Sequence, residues 1–298
     1  MLPKIGPHLF NGFDDYLDFF QRRGLYPTAK DCSYCNVPMY MSTRNRSDGL
    51  VWRCHRCRRT IAMRTGTFLA GQKIAMDDWL NLVYYWATET SVKHAIVHTG
   101  LKPKVVIQQY RFLRDICSQK LLQTPTLLGG PGVVVQIDES CFSHSRKNGR
   151  GRAPEREMWV FGLVDTTTKP ARGYLQFVED RSAATLLPII EDKTRPGTII
   201  HSDMWAAYRQ VVAIPGIAEH RTVNHSRHFV NPIDGTHTQN VESYWNKAKS
   251  KLKAMKGVKR EWLSEYLDEF MWREEFGKDL LVGFENIIDH IAEIYPQA

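Results

Sequence analysis

The sequence predicts an α/β protein in which a domain built on a mixed β-sheet follows two smaller modules. From about residue 133 onward, short apolar runs alternate with helical stretches, which is the pattern of a sheet covered by helices. Two Cys-x2-Cys pairs stand ahead of them and indicate a small unit held together by a metal ion. A helical stretch with a central glycine lies in between. We therefore expect three modules and a C-terminal helix.

The composition limits the class of protein. Hydrophobic residues make up 43% of the 298 residues, which is enough to bury sizeable cores. The formal net charge of +8 favours an anionic partner, and nucleic acid is the first candidate. Four of the six cysteines are paired as Cys-x2-Cys, which favours metal binding in a reducing compartment over disulfides. No apolar run approaches the roughly 20 residues that span a bilayer, and no signal peptide is evident, so we expect a soluble intracellular protein.

Residues 1–72 predict a short helix followed by a four-cysteine zinc ribbon. Phe13, Leu17 and Phe20 recur at helical spacing, and Gly24 provides a stop. The two cysteine pairs are separated by 18 residues, so that four thiolates converge on one tetrahedral ion: Cys32, Cys35, Cys54 and Cys57. The ribbon is rich in arginine, which indicates either a DNA-facing surface or a solvated basic face. The residues that we expect to meet DNA are Arg53 and Arg56.

Residues 73–122 predict a helix-turn-helix-like DNA-binding domain. Apolar side chains repeat at helical spacing from Met76, Gly100 suits a tight turn, and Pro103 opens a second helix. Such a helix can enter a DNA major groove, although a plain three-helix scaffold shows the same pattern. The basic residues expected to meet DNA here are Lys102, Lys104 and Arg111.

A glycine- and proline-rich stretch at residues 121–132 precedes the sheet domain, which we place at residues 130–276. Its elements are predicted in the order β-β-β-α-β-α-β-α, which fits a ribonuclease-H-like α/β sheet. The strands are expected at 133–138, 158–165, 173–178, 198–201 and 220–223, and the helices at 182–192, 204–212 and 239–255.

Two further helices are predicted toward the C-terminus. Residues 261–276 carry large apolar side chains at helical spacing, which indicates a core-packing or dimerising helix. Residues 277–298 predict a second amphipathic helix, to which the sequence assigns no function.

Three acidic residues form the predicted catalytic centre. Asp138 and Asp203 each close an apolar strand, and Glu242 follows on a helix among lysines. Active sites of open α/β sheets collect at the carboxyl ends of the strands. Carboxylates delivered from separate elements bind Mg²⁺ or Mn²⁺ and leave positions free for water and a substrate phosphate. The set therefore predicts nucleic-acid chemistry with two divalent ions.

Other polar residues near these acids could serve either the metal site or the structure of the domain. Glu139 should point to the opposite face of its strand from Asp138, and Asp165 should cap the turn that it begins. His201 should share the strand face of Asp203, where it either approaches the metals or has a structural role. Three histidines before Glu242 suit catalysis and loop ordering equally well: His225, His228 and His237.

Basic side chains on either side of the acids are expected to bind the DNA backbone. One group lies in the stretch after Asp138, and the other lies on the helix of Glu242. A solvated basic face would show the same pattern. The residues selected are Arg146, Lys147, Arg150, Arg152, Lys249 and Lys253.

The motifs together resemble the Merlin group of DDE transposases, the eukaryotic relatives of a bacterial insertion-sequence family. The resemblance covers about residues 30–275 and is carried by the ribbon, QIDES with KNGRGR, MWVFGLVD, DRSAATLLPII, HSDMWAAY and VNHSRHFVNPIDGTHTQNVESYW. By this resemblance Asp138 and Asp203 match two invariant aspartates, and Glu242 in NVESYW matches the third acidic position. The bacterial enzymes can carry asparagine at that position.

The resemblance implies a ribonuclease-H fold and metal-dependent cut-and-paste chemistry on DNA ends with terminal inverted repeats. It also implies a nuclear protein if the source is eukaryotic, and a cytoplasmic one otherwise. Synapsis of two DNA ends predicts a homodimer or a higher oligomer. Two alternatives stay open at this point: a domesticated DNA-binding protein without catalysis, and a ribonuclease-H-like nuclease or junction resolvase.

Overall fold

The computed structural model describes residues 13–44, 49–142, 157–169 and 171–297. The chain divides into two compact units. The first, which we call the terminal unit, comprises Met1–Lys120 and Phe276–Ala298. The second, the sheet unit, comprises Leu121–Glu275. The predicted division into four domains stays a prediction.

The described helices and strands follow the predicted succession. The helices are α1 (Phe13–Arg22), α2 (Met76–Ala87), α3 (Val92–Thr99), α4 (Pro103–Gln123), α5 (Ala183–Lys193), α6 (Gln239–Ala254), α7 (Leu263–Phe276) and α8 (Leu280–Ile294). The strands are β1 (Met39–Thr43), β2 (Leu50–Cys54), β3 (Thr60–Ala62), β4 (Val134–Cys141), β5 (Trp159–Asp165), β6 (Arg172–Val178), β7 (Thr198–Asp203) and β8 (Ile217–Val223). No helix of the described ranges is long and apolar enough to cross a membrane.

The terminal unit combines a small antiparallel sheet with helices. Strands β1, β2 and β3 pair in that order, with Met39 opposite Cys54. Helix α1 packs on α2, where the rings of Phe20 and Trp79 lie 5.6 Å apart. Helix α8 also packs on α2, and the rings of Tyr84 and Phe284 lie 6.2 Å apart. The C-terminal helix is therefore part of the core of this unit.

Helices α3 and α4 confirm the predicted helix, turn and helix. Ser91 caps α3 by accepting a hydrogen bond from the N–H of His94 at 3.3 Å. Gly100 ends α3 at a φ of 68°, a left-handed conformation in which glycine avoids the strain of a side chain. Whether this pair of helices binds DNA stays a prediction.

The sheet unit contains a mixed five-stranded sheet in the order β6-β5-β4-β7-β8. Strand β4 pairs antiparallel with β5, and β5 with β6. On its other side β4 pairs parallel with β7, and β7 with β8. The predicted order of elements is confirmed, except that the stretch expected to be an α-helix at 204–212 is a 3-10 helix over Ala206–Ala213.

Both faces of the sheet are covered. One face packs on α5 and the 3-10 helix through a core that includes Ile137, Phe161 and Ile200. The other face packs on α6 and α7 through a core that includes Val164 and Leu175. Because side chains alternate along a strand, Gln136, Asp138 and Ser140 of β4 point toward the α6 face.

The prediction that Asp138 ends its strand is wrong. Strand β4 continues through Cys141, because its antiparallel pairing with β5 extends to the Cys141–Trp159 pair. Pairing with β7 stops earlier, at Gln136 opposite His201. Asp138 therefore lies inside β4 but beyond the last pair that links it to β7. Asp203 is the last residue of β7, as predicted.

Candidate carboxylate site and cysteine cluster

Asp138 and Asp203 lie on the neighbouring parallel strands β4 and β7, toward the carboxyl-terminal ends of these strands. Each stands two residues beyond the Gln136–His201 pair, and both point to the face that α6 covers. Burial and, next to it, the negative charge of Asp203 together raise the pKa of Asp138 to about 8. The N–H of Glu139 opposes this shift by donating to Asp138 Oδ1 at 2.7 Å. The two carboxylates are within electrostatic reach of each other.

Glu242 joins them from the first turn of α6. Its negative charge also contributes to the raised pKa of Asp138, after burial and the charges of Asp203 and Glu139. The buried amide of Gln136 anchors this end of the helix: its Oε1 accepts from the N–H of Asn240 at 2.9 Å and of Val241 at 3.3 Å. A residue two positions before Asp138 thus fixes the beginning of the helix that carries the third acid.

A second anchor holds the Glu242 side chain itself. The buried hydroxyl of Thr238 donates to Glu242 Oε1 at 3.0 Å and lies 2.9 Å from His225 Nε2. Because a hydroxyl has one proton to donate, His225 Nε2–H must be the donor in the second bond. Thr238 thereby connects Glu242 to the segment that precedes α6.

Two glycines allow α6 to approach the sheet closely. Gly162 lies opposite Asp138 on β5, and a Cβ there would stand 2.6 Å from Trp245 Nε1 and 3.1 Å from Val241 Cγ2. On β6, a Cβ at Gly173 would stand 2.7 Å from a ring carbon of Tyr244. The predicted apolar stripe of α6 is buried as expected: Val241, Trp245, Ala248 and Leu252.

The two acids expected to have structural roles do so. Glu139 hydrogen-bonds the hydroxyl of Tyr208, which lies in the core on the opposite face from α6. Asp165 accepts from the N–H and the hydroxyl of Thr167 at 2.9 and 2.6 Å, and from the N–H of Gly129 at 2.9 Å. These bonds lower the pKa of Asp165 although burial opposes them.

The histidines take different positions. His201 is buried, and neither ring nitrogen has a hydrogen-bond partner among the described residues. Burial lowers its pKa to about 4, so that its ring is neutral at physiological pH. His237 Nδ1 accepts from the amide of Gln136 at 3.2 Å. His225 bonds Thr238, as above, and His228 is exposed.

Of the predicted DNA contacts in the sheet unit, the structure describes Lys253 and Lys249. Lys249 lies on the strand side of α6. Its Nζ donates to Ser140 Oγ, two residues along β4 from Asp138, and lies 5.0 Å from the ring centre of Phe142. Burial lowers the pKa of Lys249, whereas the charge of Asp138 raises it. Lys249 and the exposed Lys253 line a cavity of about 260 Å³ together with Asn246 and Val258.

The other predicted contacts are distributed over the terminal unit or lie outside the described ranges. Arg56, Lys102, Lys104 and Arg111 are exposed, and Arg53 is half-buried in β2. Arg146, Lys147, Arg150 and Arg152 lie outside the described residues. The assignment of all these side chains to DNA stays a prediction.

The four predicted cysteines converge in the terminal unit. Within the described residues, Cys32, Cys35, Cys54 and Cys57 are the only group of three or more metal-ligating side chains whose ligand atoms all lie within 4.8 Å of one another. Backbone N–H groups of Tyr34 and Cys35 lower the pKa of Cys32. The four thiols can therefore bind a structural zinc ion. The carboxylates of Asp138, Asp203 and Glu242 do not form such a group, and the charges of Asp203 and Glu242 act on Asp138 by raising its pKa.

Gln136 and Thr238 were missed by sequence reasoning. Gln136 carried one usable signal, since it is a polar residue in an apolar strand on the same face as Asp138. Thr238 gave none, because its bond to Glu242 depends on how the chain enters α6.

The chain is thus a mixed α/β protein with acidic residues toward the carboxyl-terminal ends of two parallel strands and with a separate four-cysteine cluster. Residues 128–275 match the ISXO2-like transposase domain. The chain is 35% identical over 103 residues to an uncharacterised transposase-like protein of Haemophilus influenzae, covering 34% of this chain and 78% of that protein. The chain belongs to the ISXO2-like transposase family.

Two other relatives extend the similarity into the rest of the chain. An uncharacterised protein in transposable element ISH50 of Halobacterium salinarum is 25% identical over 239 residues, 74% of this chain and 77% of that protein. The male abnormal protein mab-31 of Caenorhabditis elegans is 24% identical over 220 residues, 66% of this chain and 48% of that protein. The narrower assignment to the Merlin group stays a prediction.

Proposed function

We propose that this transposase cleaves the ends of a DNA element at terminal inverted repeats and joins the free 3′-hydroxyl ends to target DNA. The observation that carries the proposal is that Asp138 and Asp203 stand at matching positions on the paired strands β4 and β7, on the face of the sheet that α6 covers, and that Glu242 lies in the first turn of α6. A sheet in which β4 has an antiparallel neighbour on one side and a parallel one on the other supports a ribonuclease-H-like fold.

The three carboxylates suit divalent metal ions. They offer only oxygen ligands, which Mg²⁺ and Mn²⁺ prefer, and their mutual repulsion would be relieved by cations. Asp138, as the central acid, would be shared by two ions, with Asp203 and Glu242 each holding one. Bound there, the ions supply activation of the attacking oxygen and stabilisation of the leaving oxygen.

The chain itself positions these groups. Gln136 holds the beginning of α6, and Thr238 orients Glu242. Lys249 and Lys253 on the same helix supply positive charge for the phosphates next to the scissile bond. Phosphoryl transfer depends on such positioning and charge neutralisation more than on a covalent protein nucleophile.

The terminal unit has a separate role in this proposal. The four-cysteine ribbon with zinc, together with α3 and α4, recognises the element's end, and the sheet unit performs the chemistry. Bringing two ends together requires at least a homodimer.

The test is a cleavage and joining assay with the purified chain. Labelled duplexes from both flanks of its coding sequence are incubated with a target plasmid and Mg²⁺ or Mn²⁺. We expect a specific cut at the repeat and joined products. Binding without cleavage would support a DNA-binding protein instead, and cleavage without joining would support a nuclease.

A further inference from the structure

The segment between β8 and α6 exposes large apolar side chains. We call residues 224–237 the edge loop. Ile233 is 92% exposed, Phe229 is 75% exposed and Val230 is 42% exposed. A cluster of exposed apolar side chains in a short segment is uncommon unless it contacts a partner. The edge loop is therefore a candidate contact surface.

Hydrogen-bonded turns present these side chains. The carbonyl of Asn224 accepts from the N–H of Arg227 at 3.0 Å and of His228 at 2.9 Å. A second turn begins at Asn231, whose carbonyl accepts from Gly235 N–H at 2.9 Å and whose Oδ1 accepts from Ile233 N–H at 3.1 Å. Phe229 and Val230 stand between the two turns, in the middle of the edge loop.

The edge loop is joined directly to the carboxylate site. It begins one residue after Val223, which pairs with Asp203 across β8 and β7. At the other end, the hydroxyl of Thr238, which directly follows the loop, bonds Glu242 and also bonds His225, the second residue of the loop. The exposed ring of Phe229 is thus carried by a segment fixed at both Asp203 and Glu242.

Exposed side chains after the strand ends on this side of the sheet, together with those of the edge loop, indicate what the partner is. Met204 and Trp205, directly after Asp203, are 64% and 40% exposed. The guanidinium of Arg181 lies 4.8 Å from the ring centre of Trp205. The edge loop itself carries the exposed Arg227 and His228. Aromatic rings interleaved with basic groups bind nucleic-acid strands, because every base has a face for stacking and every phosphate is an anion.

We propose that Phe229 inserts into the base stack of the DNA end beside the scissile phosphate and stacks on an unpaired base. This inference rests on the proposed function, since it places the scissile phosphate at the carboxylates. Apolar side chains that wedge between base steps unstack and kink the duplex. Opening the duplex there lets the scissile strand approach the carboxylates.

The first test compares Phe229→Ala with the wild-type chain on two DNA ends, one fully paired and one with mismatched bases next to the cleavage position. We expect Phe229→Ala to cut the paired end about tenfold more slowly or worse. It should cut the mismatched end near the wild-type rate, because those bases are already open. Val212→Ala, which shortens an exposed apolar side chain in the 3-10 helix, is the matched control and should cut both ends normally.

Substitution by other large side chains separates stacking from simple apolar docking. Phe229→Trp should retain cleavage of the paired end, whereas Phe229→Leu should resemble Phe229→Ala. Full activity of Phe229→Leu, with self-association lost in Phe229→Ala, would instead assign the edge loop to a second copy of the chain. Equal impairment of Phe229→Ala on both DNA ends would also overturn the proposal.

A binding readout keeps the inference independent of catalysis. Duplexes with 2-aminopurine beside the cleavage position are bound to Asp138→Asn protein with intact Phe229, and the fluorescence should rise as the base unstacks. The double variant Asp138→Asn with Phe229→Ala should bind the duplex equally well but should show no rise in 2-aminopurine fluorescence. If wild-type protein cuts neither DNA, the proposed function fails, and the fluorescence still decides whether Phe229 opens the duplex.

Discussion

At the scale of single residues, Thr238 connects the third acid to the chain in front of it. Its hydroxyl donates to Glu242 and accepts from His225, and it is fully buried. A hydrogen bond to a charged group contributes roughly 1.5–3 kcal/mol, and here that energy fixes the orientation of a proposed ligand. Such a residue positions the site without touching the substrate.

We expect Thr238→Val to lower the cleavage rate by about tenfold or more, because the hydroxyl is lost while the side-chain volume is kept. DNA-end affinity should not change, and Thr238→Ser should restore most of the rate. Thr222→Val, an exposed site on β8, is the matched control. Wild-type cleavage by Thr238→Val would show that Glu242 needs no such support.

At the scale of elements, the docking of α6 on the sheet sets where Glu242 lies. Gly162 and Gly173 leave room for Trp245 and Tyr244. The sequence predicted the buried stripe of α6 from its spacing. It did not predict these two glycines as contact points, because Gly173 lies 71 residues before Tyr244 and Gly162 lies 83 residues before Trp245.

The contact predicts that Gly162→Ala destabilises the protein by about 1–3 kcal/mol and lowers cleavage, since the new methyl group overlaps Trp245 Nε1. Thermal unfolding measures the first effect. Trp245→Phe in the same chain removes the overlapping atom and should recover part of the loss. An unchanged melting temperature for Gly162→Ala would mean that α6 does not approach the sheet this closely.

The four-cysteine cluster is expected to hold the small sheet β1–β3 together through a bound zinc ion. Cys54→Ser should reduce the zinc content from about one ion per chain, because a site of four thiolates loses one of them. Elemental analysis of the purified protein measures this. Cys141→Ser, in the sheet unit, is the control and should leave the zinc content intact. Equal zinc in both variants would rule out this cluster as the zinc site.

The length of β4 and the role of α8 were not predicted, because both depend on contacts between distant parts of the chain. Strand β4 runs past Asp138 because β5 continues to pair with it, and apolar runs alone cannot show that. Helix α8 had no assigned role, since its partner α2 lies about 200 residues earlier in the chain. Local patterns, by contrast, sufficed for the helices α3 and α4, whose cap and glycine turn lie in the sequence itself.

At the scale of the whole molecule, the proposal divides recognition and chemistry between the two units. The contacts within each unit define this division: the N-terminal helices and α8 belong to the terminal unit, and the five-stranded sheet belongs to the sheet unit. The basic residues Lys102 and Lys104 at the beginning of α4 are exposed and belong to the terminal unit. Nuclear or cytoplasmic location stays a prediction.

We expect Lys102→Glu with Lys104→Glu to weaken binding of terminal-repeat DNA strongly and to flatten its dependence on salt, because two phosphate contacts are replaced by repulsion. Two charge reversals in the terminal unit but outside the ribbon, α3 and α4, namely Arg22→Glu with Lys278→Glu, change the net charge equally and serve as the control. Equal losses in both double variants would attribute the binding to overall charge rather than to α4.

The central claim is that Asp138, Asp203 and Glu242 act as one metal site for both reactions. The most direct measurement compares cleavage and joining by the wild type, Asp138→Asn, Glu242→Gln and the double variant, with end binding measured in parallel. We predict that each single variant loses both reactions while binding persists, and that the double variant adds little, because the acids act as a unit. Cleavage near the wild-type rate in Asp138→Asn or Glu242→Gln would contradict the assignment.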